Sequence, residues 1–377
     1  MNKINVLQMI YNMEDGGAQK IVLNYTEDFK NDNQINNKVL IYGEKTDSYY
    51  NKLIESRGYK VDYLFENFHN TFIRKFFRKI FGKYILYRYL KKNKPDIVHV
   101  HISAFLSICL KPIKKSKIPI CFDTLHSNPL RYIGNELSVI REAFQNEKFI
   151  PICVTKEQAV VAKNYYGFDN FEVVHNGVDI KSIREKIISK QEAREIFNLK
   201  KNDFVVVAVG RLEKIKRYDI LIKSFAKVCH EKSNSRLLIA GRGTEKETLI
   251  NLVNELNIGD KVFFLGNLEN VIPLYCAADV MAITSDSESS SLVLLEAQIC
   301  KLKCVISNGV PSESVVNENI IKLNKNATTD EWAFSILHDE NFIKKEHIID
   351  EYDVHSISTK MKNVYLKYWR KYINEKE

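Results

Sequence analysis

Short, nearly continuous apolar runs alternate along the chain with longer stretches in which apolar residues return every three or four positions. The runs fall at 4–8, 38–42, 96–101, 118–123, 149–154 and 171–174, then at 204–209, 236–240, 261–265, 280–283 and 304–307. Stretches 18–31, 50–58, 72–93 and 156–166 carry the helical spacing, as does the tail 356–377. Strands alternating with helices predict a parallel sheet with helices on both faces, and apolar strands of this kind fit a sheet buried on both sides. The rhythm breaks at Asn176-Gly177-Val178-Asp179, a charged helical stretch follows at 181–197, and a second series opens with Phe204-Val-Val-Val-Ala-Val209. The expected fold is α/β, with two Rossmann-like doubly wound domains facing a cleft. The first covers 1–180, with the tail helix 356–377 packing back on it, and the second covers 181–355. Ligands of such sheets bind at the carboxyl ends of the strands.

A length of 377 residues suits two domains, and 45% hydrophobic with 27% charged residues excludes a globally disordered chain. The formal charge of +9 points to an anionic partner without naming it. Met1–Gln8 lacks the features of a signal peptide, and no window approaches 18 uncharged apolar residues. Seven cysteines form no CxxC pair, and several sit in apolar runs, which fits reduced, buried thiols in the cytosol.

Three clusters carry candidate chemistry. Gly210-Arg211-Leu212, with Lys216 close behind, follows the strand at 204–209. Two cations at a strand's carboxyl end suit a diphosphate, although Lys214 and Arg217 nearby also allow a merely solvated basic loop. Ser285-Asp-Ser-Glu288-Ser-Ser290-Ser291-Leu292 leads into an apolar helix bearing Glu296. Hydroxylic residues opening a helix offer free amides to an anion, and carboxylates at 288 and 296 can grip sugar hydroxyls; a plain serine-capped helix is the alternative. Glycine turns follow two further strands, at Gly241 and Gly243 and at Gly16 and Gly17.

In that order these segments resemble the GT-B glycosyltransferases of family four. Ala208-Val-Gly-Arg211-Leu-Glu-Lys-Ile-Lys216 is similar to the family's diphosphate segment, and Glu288 with Leu292-Val-Leu-Leu-Glu296 resembles its E-x7-E motif. Asp15-Gly16-Gly17-Ala18, Pro95-Asp96-Ile-Val-His99-Val-His101, Val174-His175-Asn176-Gly177, Gly241-Arg-Gly243 and Asp260 to Gly266 fit as well, so the likeness runs to about residue 315. It looks closest to bacterial enzymes of capsule, exopolysaccharide and O-antigen synthesis.

The resemblance implies a retaining, metal-independent, hexosyltransferase-like enzyme without a cofactor, whose co-substrate is a nucleoside-diphosphate sugar and whose acceptor is a glycan or lipid-linked glycan. It implies that Arg211 and Lys216 hold the donor diphosphate, with Gly16, Gly17, Gly241, Ser290, Ser291 and Leu292 beside the donor. Glu296 would bind the ribose, Glu288 would contact the sugar near its anomeric carbon, and His126 would face the donor sugar; the catalytic set is Glu288, His126, Arg211 and Lys216. The chain departs from the family pattern in placing Ser289-Ser290-Ser291 where glycine is usual, Arg217 after Lys216 and His175 before Asn176. His99 and His101 share a strand face at a spacing that suits metal, but no third ligand accompanies them. Within the same fold the rival readings are a nucleotide-sugar epimerase or hydrolase, and a non-catalytic binding subunit.

Residues 68–95 hold Arg74, Lys75, Arg78, Lys79, Lys83, Arg88 and further lysines without an acid, interleaved with aromatic and aliphatic residues at helical spacing. A basic amphipathic helix of this type favours an anionic membrane surface through Arg74, Lys75, Arg78, Lys79 and Lys83. The bland alternative keeps the aromatics in the core and the lysines in water. No nucleic-acid motif accompanies the charge. The expected location is the cytoplasm, peripheral on the inner face of the cytoplasmic membrane.

Overall fold

The computed structural model describes residues 3–14, 16–66, 71–146, 149–340 and 349–377, and for 71–76 the backbone alone. Two compact units divide the chain, one formed by 1–177 with 354–377 and the other by 178–353.

The first unit runs β1 (Ile4–Ile10), α1 (Gly17–Phe29), β2 (Ile35–Ile41), α2 (Tyr49–Arg57), β3 (Val61–Tyr63), α3 (Thr71–Asn93) and β4 (Ile97–His101). It continues with α4 (Leu106–Ser116), β5 (Ile120–Leu125), α5 (Gly134–Gln145), β6 (Ile150–Cys153), α6 (Lys156–Tyr166) and β7 (Glu172–Val173). All strand pairs are parallel, in the order β3-β2-β1-β4-β5-β6-β7. Ser48 caps α2 by accepting from the Asn51 amide, and Gly58 ends that helix at φ +61, a value glycine reaches without a Cβ penalty.

The second unit runs α7 (Ile180–Glu185), α8 (Lys190–Ile196), β8 (Phe204–Val209), α9 (Tyr218–Glu231), β9 (Ser235–Ala240), α10 (Lys246–Glu255) and β10 (Val262–Gly266). Then come α11 (Ile272–Ala277), β11 (Val280–Ile283), α12 (Leu292–Ile299), β12 (Lys303–Ser307), β13 (Ile320–Leu323) and α13 (Thr329–Leu337). Its parallel sheet has the order β10-β9-β8-β11-β12-β13. Apolar clusters cover both faces, Val205, Val207 and Met281 on one and Val206, Leu237 and Val280 on the other. The first sheet is likewise covered on both faces, by Met9, Leu40 and Val100 on one and Ile10, Val39 and Ile41 on the other, so both sheets are doubly wound.

The final helix, α14 (Val354–Asn374), belongs to the first unit. His355 meets Asp28 at 2.6 Å, Lys362 meets Asp32 at 2.5 Å and Lys367 meets Glu172 at 2.6 Å. Tyr365 is fully buried against Phe29 and Phe122.

Two local expectations change. The helical stretch 181–197 is two helices, because Ser189 and Glu192 form a reciprocal capping box that starts α8 afresh. The short edge strands β3 and β13 join the sheets although no run announced them. On α3 the apolar residues do not all face the core. Leu86 and Leu90 are buried, and Gly82 lies so close to the Tyr42 hydroxyl that a Cβ would stand 2.0 Å from it. Phe77, Ile80, Phe81 and Tyr84 instead face outward, Tyr84 with 58% of its surface exposed, beside the exposed Lys79 and Lys83. The side chains of Arg74 and Lys75 lie outside the described residues. Among the described residues no helix is long and apolar enough to cross a membrane.

Candidate functional site

The strand order of the second unit reverses between β8 and β11, so the loops leaving these neighbouring strands lie side by side at the carboxyl edge of the sheet, where ligands of such sheets bind. The loop after β8 carries Arg211 and Lys216, and the loop after β11 carries Glu288.

Backbone packing shapes the first loop. Gly210 adopts φ +152 and Gly241, after β9, adopts φ +140. A Cβ on Gly241 would stand 1.9 Å from the Gly210 carbonyl oxygen, and one on Gly243 would stand 2.2 Å from that of Leu212. Only glycine allows these chains to touch. The Tyr218 hydroxyl, at the head of α9, donates to the Gly210 carbonyl at 3.1 Å.

The second loop is tied to the first. Thr284 Oγ1 lies 2.9 Å from the carbonyl oxygens of both Lys216 and Arg217, and the Asp286 amide donates to the Ile215 carbonyl at 2.9 Å. Arg217, at φ +53, pairs with Asp219 at 3.0 Å and Asp286 at 3.2 Å. Lys216 Nζ donates to Glu288 Oε1 at 2.6 Å, and the Ser285 hydroxyl donates to the same oxygen at 2.7 Å. A third loop, after β12, closes from the other side. The Glu288 amide donates to the Gly309 carbonyl at 2.8 Å, and a Cβ on Gly309 would stand 2.4 Å from the Asp286 carbonyl oxygen. Arg211 is exposed, with no carboxylate in ion-pair distance among the described residues.

Glu288 sits on the loop, and Glu296 is the fifth residue of α12, buried, with the Tyr275 hydroxyl donating to its Oε2 at 3.3 Å. Burial, followed by the charge of Glu296, pushes the Tyr275 phenol well above its usual range. Ser291 is the N-cap of α12, Leu292 its first residue, and the buried Ser291 hydroxyl has no hydrogen-bond partner. None of Ser289, Ser290 and Ser291 takes a positive φ. Serine therefore replaces glycine there without backbone strain, while adding side chains to the loop.

In the first unit, Gly16 is the N-cap of α1 and Gly17 its first residue, directly after β1. Gly16 has φ −177, an extended conformation open to any residue. His126 follows β5, two strands away on the same carboxyl edge, and its Nε2 lies 3.0 Å from His101 Nδ1. Both ring nitrogens of His99 and of His101 are engaged in hydrogen bonds to protein groups.

Sequence reasoning missed Thr284, Gly309 and Tyr275. The Asn308-Gly309 dipeptide at the carboxyl end of a strand was the available signal for the third loop. Nothing local marks Tyr275, which reaches Glu296 from the preceding helix.

The family model described as Glycosyltransferase Family 4 matches residues 16–182, and the one described as Glycosyl transferases group 1 matches residues 189–337. N-acetyl-alpha-D-glucosaminyl L-malate synthase of Bacillus anthracis is 28% identical over 226 residues, 57% of this chain and 57% of that protein. UDP-Gal:alpha-D-GlcNAc-diphosphoundecaprenol alpha-1,3-galactosyltransferase of Escherichia coli is 27% identical over 236 residues, 59% of this chain and 60% of that one. The chain thus spans less than two thirds of the length of these relatives. The crystal structure of Anabaena HepE in complex with UDP and glucose superposes with a TM-score of 0.77 at 18% identity, covering 96% of this chain and 99% of that one.

Proposed function

Since this chain belongs to the glycosyltransferases of GT-B fold and family-four type, we propose that it moves a sugar, with retention at the anomeric carbon, from a nucleoside-diphosphate sugar to a hydroxyl of a lipid-linked glycan. The observation that carries the reading is the Lys216–Glu288 pair, held at 2.6 Å where the loops after β8 and β11 meet, with Arg211 exposed on the first loop.

Cleaving the donor bond builds negative charge on the departing diphosphate. Arg211 offers a planar fork and Lys216 a compact charge, together matching roughly the two negative charges of the bridging phosphates. In the free protein Glu288 neutralises Lys216. Donor binding transfers Lys216 to the phosphates and releases the Glu288 carboxylate to a sugar hydroxyl. Amides at the start of α12, next to Ser290, Ser291 and Leu292, add the positive helix end, and the buried Glu296 accepts from the ribose hydroxyls. Gly241 keeps the Arg211 loop in place. The leaving phosphate takes the acceptor proton, so no separate base is assigned. Each well-placed donor is worth about 3–4 kcal/mol in the transition state.

The acceptor class rests on the E. coli relative, whose name specifies a diphosphoundecaprenol-linked substrate. It also rests on α3, where Phe77, Ile80, Phe81 and Tyr84 are exposed next to Lys79 and Lys83. Such a face suits an anionic lipid surface and a peripheral position on the inner membrane leaflet. Purified protein supplied with UDP-, GDP- and ADP-sugars, with and without membrane extract, tests the reading. Nucleotide release that requires the extract supports transfer. Release without it indicates a hydrolase or epimerase, and binding without turnover indicates a non-catalytic subunit.

A further inference from the structure

The sheet of the first unit buries a polar chain that runs from its last helix to His126. Gln8 on β1, His99 and His101 on β4, Thr124 on β5 and Tyr365 on α14 are all buried, and His126 closes the series. The His99 and His101 rings stack at 4.2 Å between centroids, and those of His101 and His126 lie 5.3 Å apart.

The direction of every hydrogen bond follows from Gln8. Its amide nitrogen donates to the Tyr365 hydroxyl at 3.0 Å and to Asn37 Oδ1 at 3.3 Å, so both N–H groups have acceptors. Its oxygen must then accept from His101 Nε2, 2.7 Å away. A neutral imidazole carries one N–H, so His101 Nδ1 is bare and accepts from His126 Nε2 at 3.0 Å. His126 Nδ1 is therefore the bare nitrogen, and it is a buried atom without a hydrogen-bond partner. The other arm is consistent with this polarity. Tyr365 passes its proton toward His99 Nδ1 at 2.6 Å, and His99 Nε2 donates to Thr124 Oγ1 at 2.6 Å. Burial pushes His99 and His126 down to about 3 and His101 well below its usual range, which keeps all three rings neutral.

We propose that Gln8, acting through His101 and anchored by Tyr365, is a positioning residue that locks His126 in its Nε2–H tautomer, leaving Nδ1 as an obligate acceptor for a hydroxyl of a bound sugar. The sugar as ligand rests on the transfer reading given above; the tautomer does not. A buried acceptor without a donor is an unfavourable state, and a ligand hydroxyl relieves it. The polarity also gives selectivity, because a sugar carrying a methyl ether or a bare methylene at that position has no proton to offer. Tyr365 lies 357 residues from Gln8, so the C-terminal helix takes part in setting this tautomer.

The test is a long-range imidazole proton–nitrogen correlation spectrum of the ¹⁵N-labelled, unliganded full chain. The expected result is His126 protonated on Nε2 and bare on Nδ1 in the wild type. In Gln8→Met and in Tyr365→Phe, chosen so that one can report if the other folds poorly, the single tautomer gives way to a mixture. In Gln8→Glu, which keeps an acceptor for His101, the tautomer persists. Turnover follows the tautomer, kcat/KM for the donor falling about tenfold in Gln8→Met and recovering in Gln8→Glu. A His126 protonated on Nδ1 in the wild type overturns the proposal, as does a tautomer indifferent to Gln8→Met and Tyr365→Phe. Either result leaves sugar transfer standing. A tautomer that responds as expected in a protein that turns over no donor would instead count against the transfer reading.

Discussion

Replacing Lys216 with alanine separates a structural ion pair from a donor contact. Lys216 Nζ and Glu288 Oε1 lie 2.6 Å apart, with 21% and 11% of the two side chains exposed. At an effective dielectric near 20 the gross attraction is about 6 kcal/mol, but desolvation and residual water cancel most of it. Because neither partner is fully buried, the net loss of stability in Lys216→Ala should be about 1–2 kcal/mol. Most of that loss reflects the Glu288 carboxylate, left with the Ser285 hydroxyl as its remaining described side-chain partner. Lys216→Ala/Glu288→Gln removes the stranded charge and should recover most of the stability. Turnover should behave differently. Loss of one cation facing the leaving diphosphate should cost roughly 3 kcal/mol, a fall in kcat/KM of about 10²–10³-fold, and the double variant should not restore it. Urea denaturation and steady-state kinetics with varied donor give the two readings. A kcat/KM for Lys216→Ala within about threefold of wild type, or its recovery in the double variant, would refute the diphosphate role and leave a purely structural pair.

Gly241→Ala should destabilise the second unit by about 3 kcal/mol or more, seen as an earlier urea midpoint, because its Cβ would stand 1.9 Å from the Gly210 carbonyl oxygen at φ +140. Changing Lys75, Arg78, Lys79 and Lys83 together to glutamine should weaken sedimentation with anionic vesicles by up to about 4 kcal/mol, at about 1 kcal/mol per cation; unchanged sedimentation would remove the membrane contact. Acid should destabilise the first unit through His99 and His101. Both have depressed values in the fold, His99 at about 3, so the unfolded chain binds more protons once the pH drops below about 6.5. Their contribution is present above that pH and is lost as the pH falls toward the folded value, at up to about 1.4 kcal/mol per unit for each ring. Denaturation midpoints between pH 7 and 4 in wild type and His99→Asn measure the slope, which should be shallower in the variant.

Much of the fold is legible because parallel strands buried on both faces leave an apolar signature that solvent-facing strands lack. Phe204–Val209 and Val280–Ile283 are of this kind, and their runs coincide with the strands. Val61–Tyr63 leaves no such mark, since it is a three-residue edge strand with half-buried side chains. The division of 181–197 was readable, because Ser189-x-x-Glu192 is a capping signature, and the charge pattern masked it. Candidate site residues stand out where a motif is local, as with Glu288 and Glu296. Tertiary contacts decide the rest. Lys216 finds Glu288 across 72 residues, and Gly309 reaches the same loop from another strand. Of the buried chain from Tyr365 to His126 only His99 and His101 share a local spacing, because a sheet and a returning helix bring the other members together. On α3, periodicity alone does not tell an inner apolar face from an outer one, and Phe81 and Leu86 differ only in what packs against them.

The most direct test of sugar transfer with retention follows an anomerically pure donor by proton NMR, with and without acceptor. With acceptor, the expected product keeps the anomeric configuration of the donor, and without it the donor persists. A product of inverted configuration, or free sugar released without acceptor, would contradict the reading.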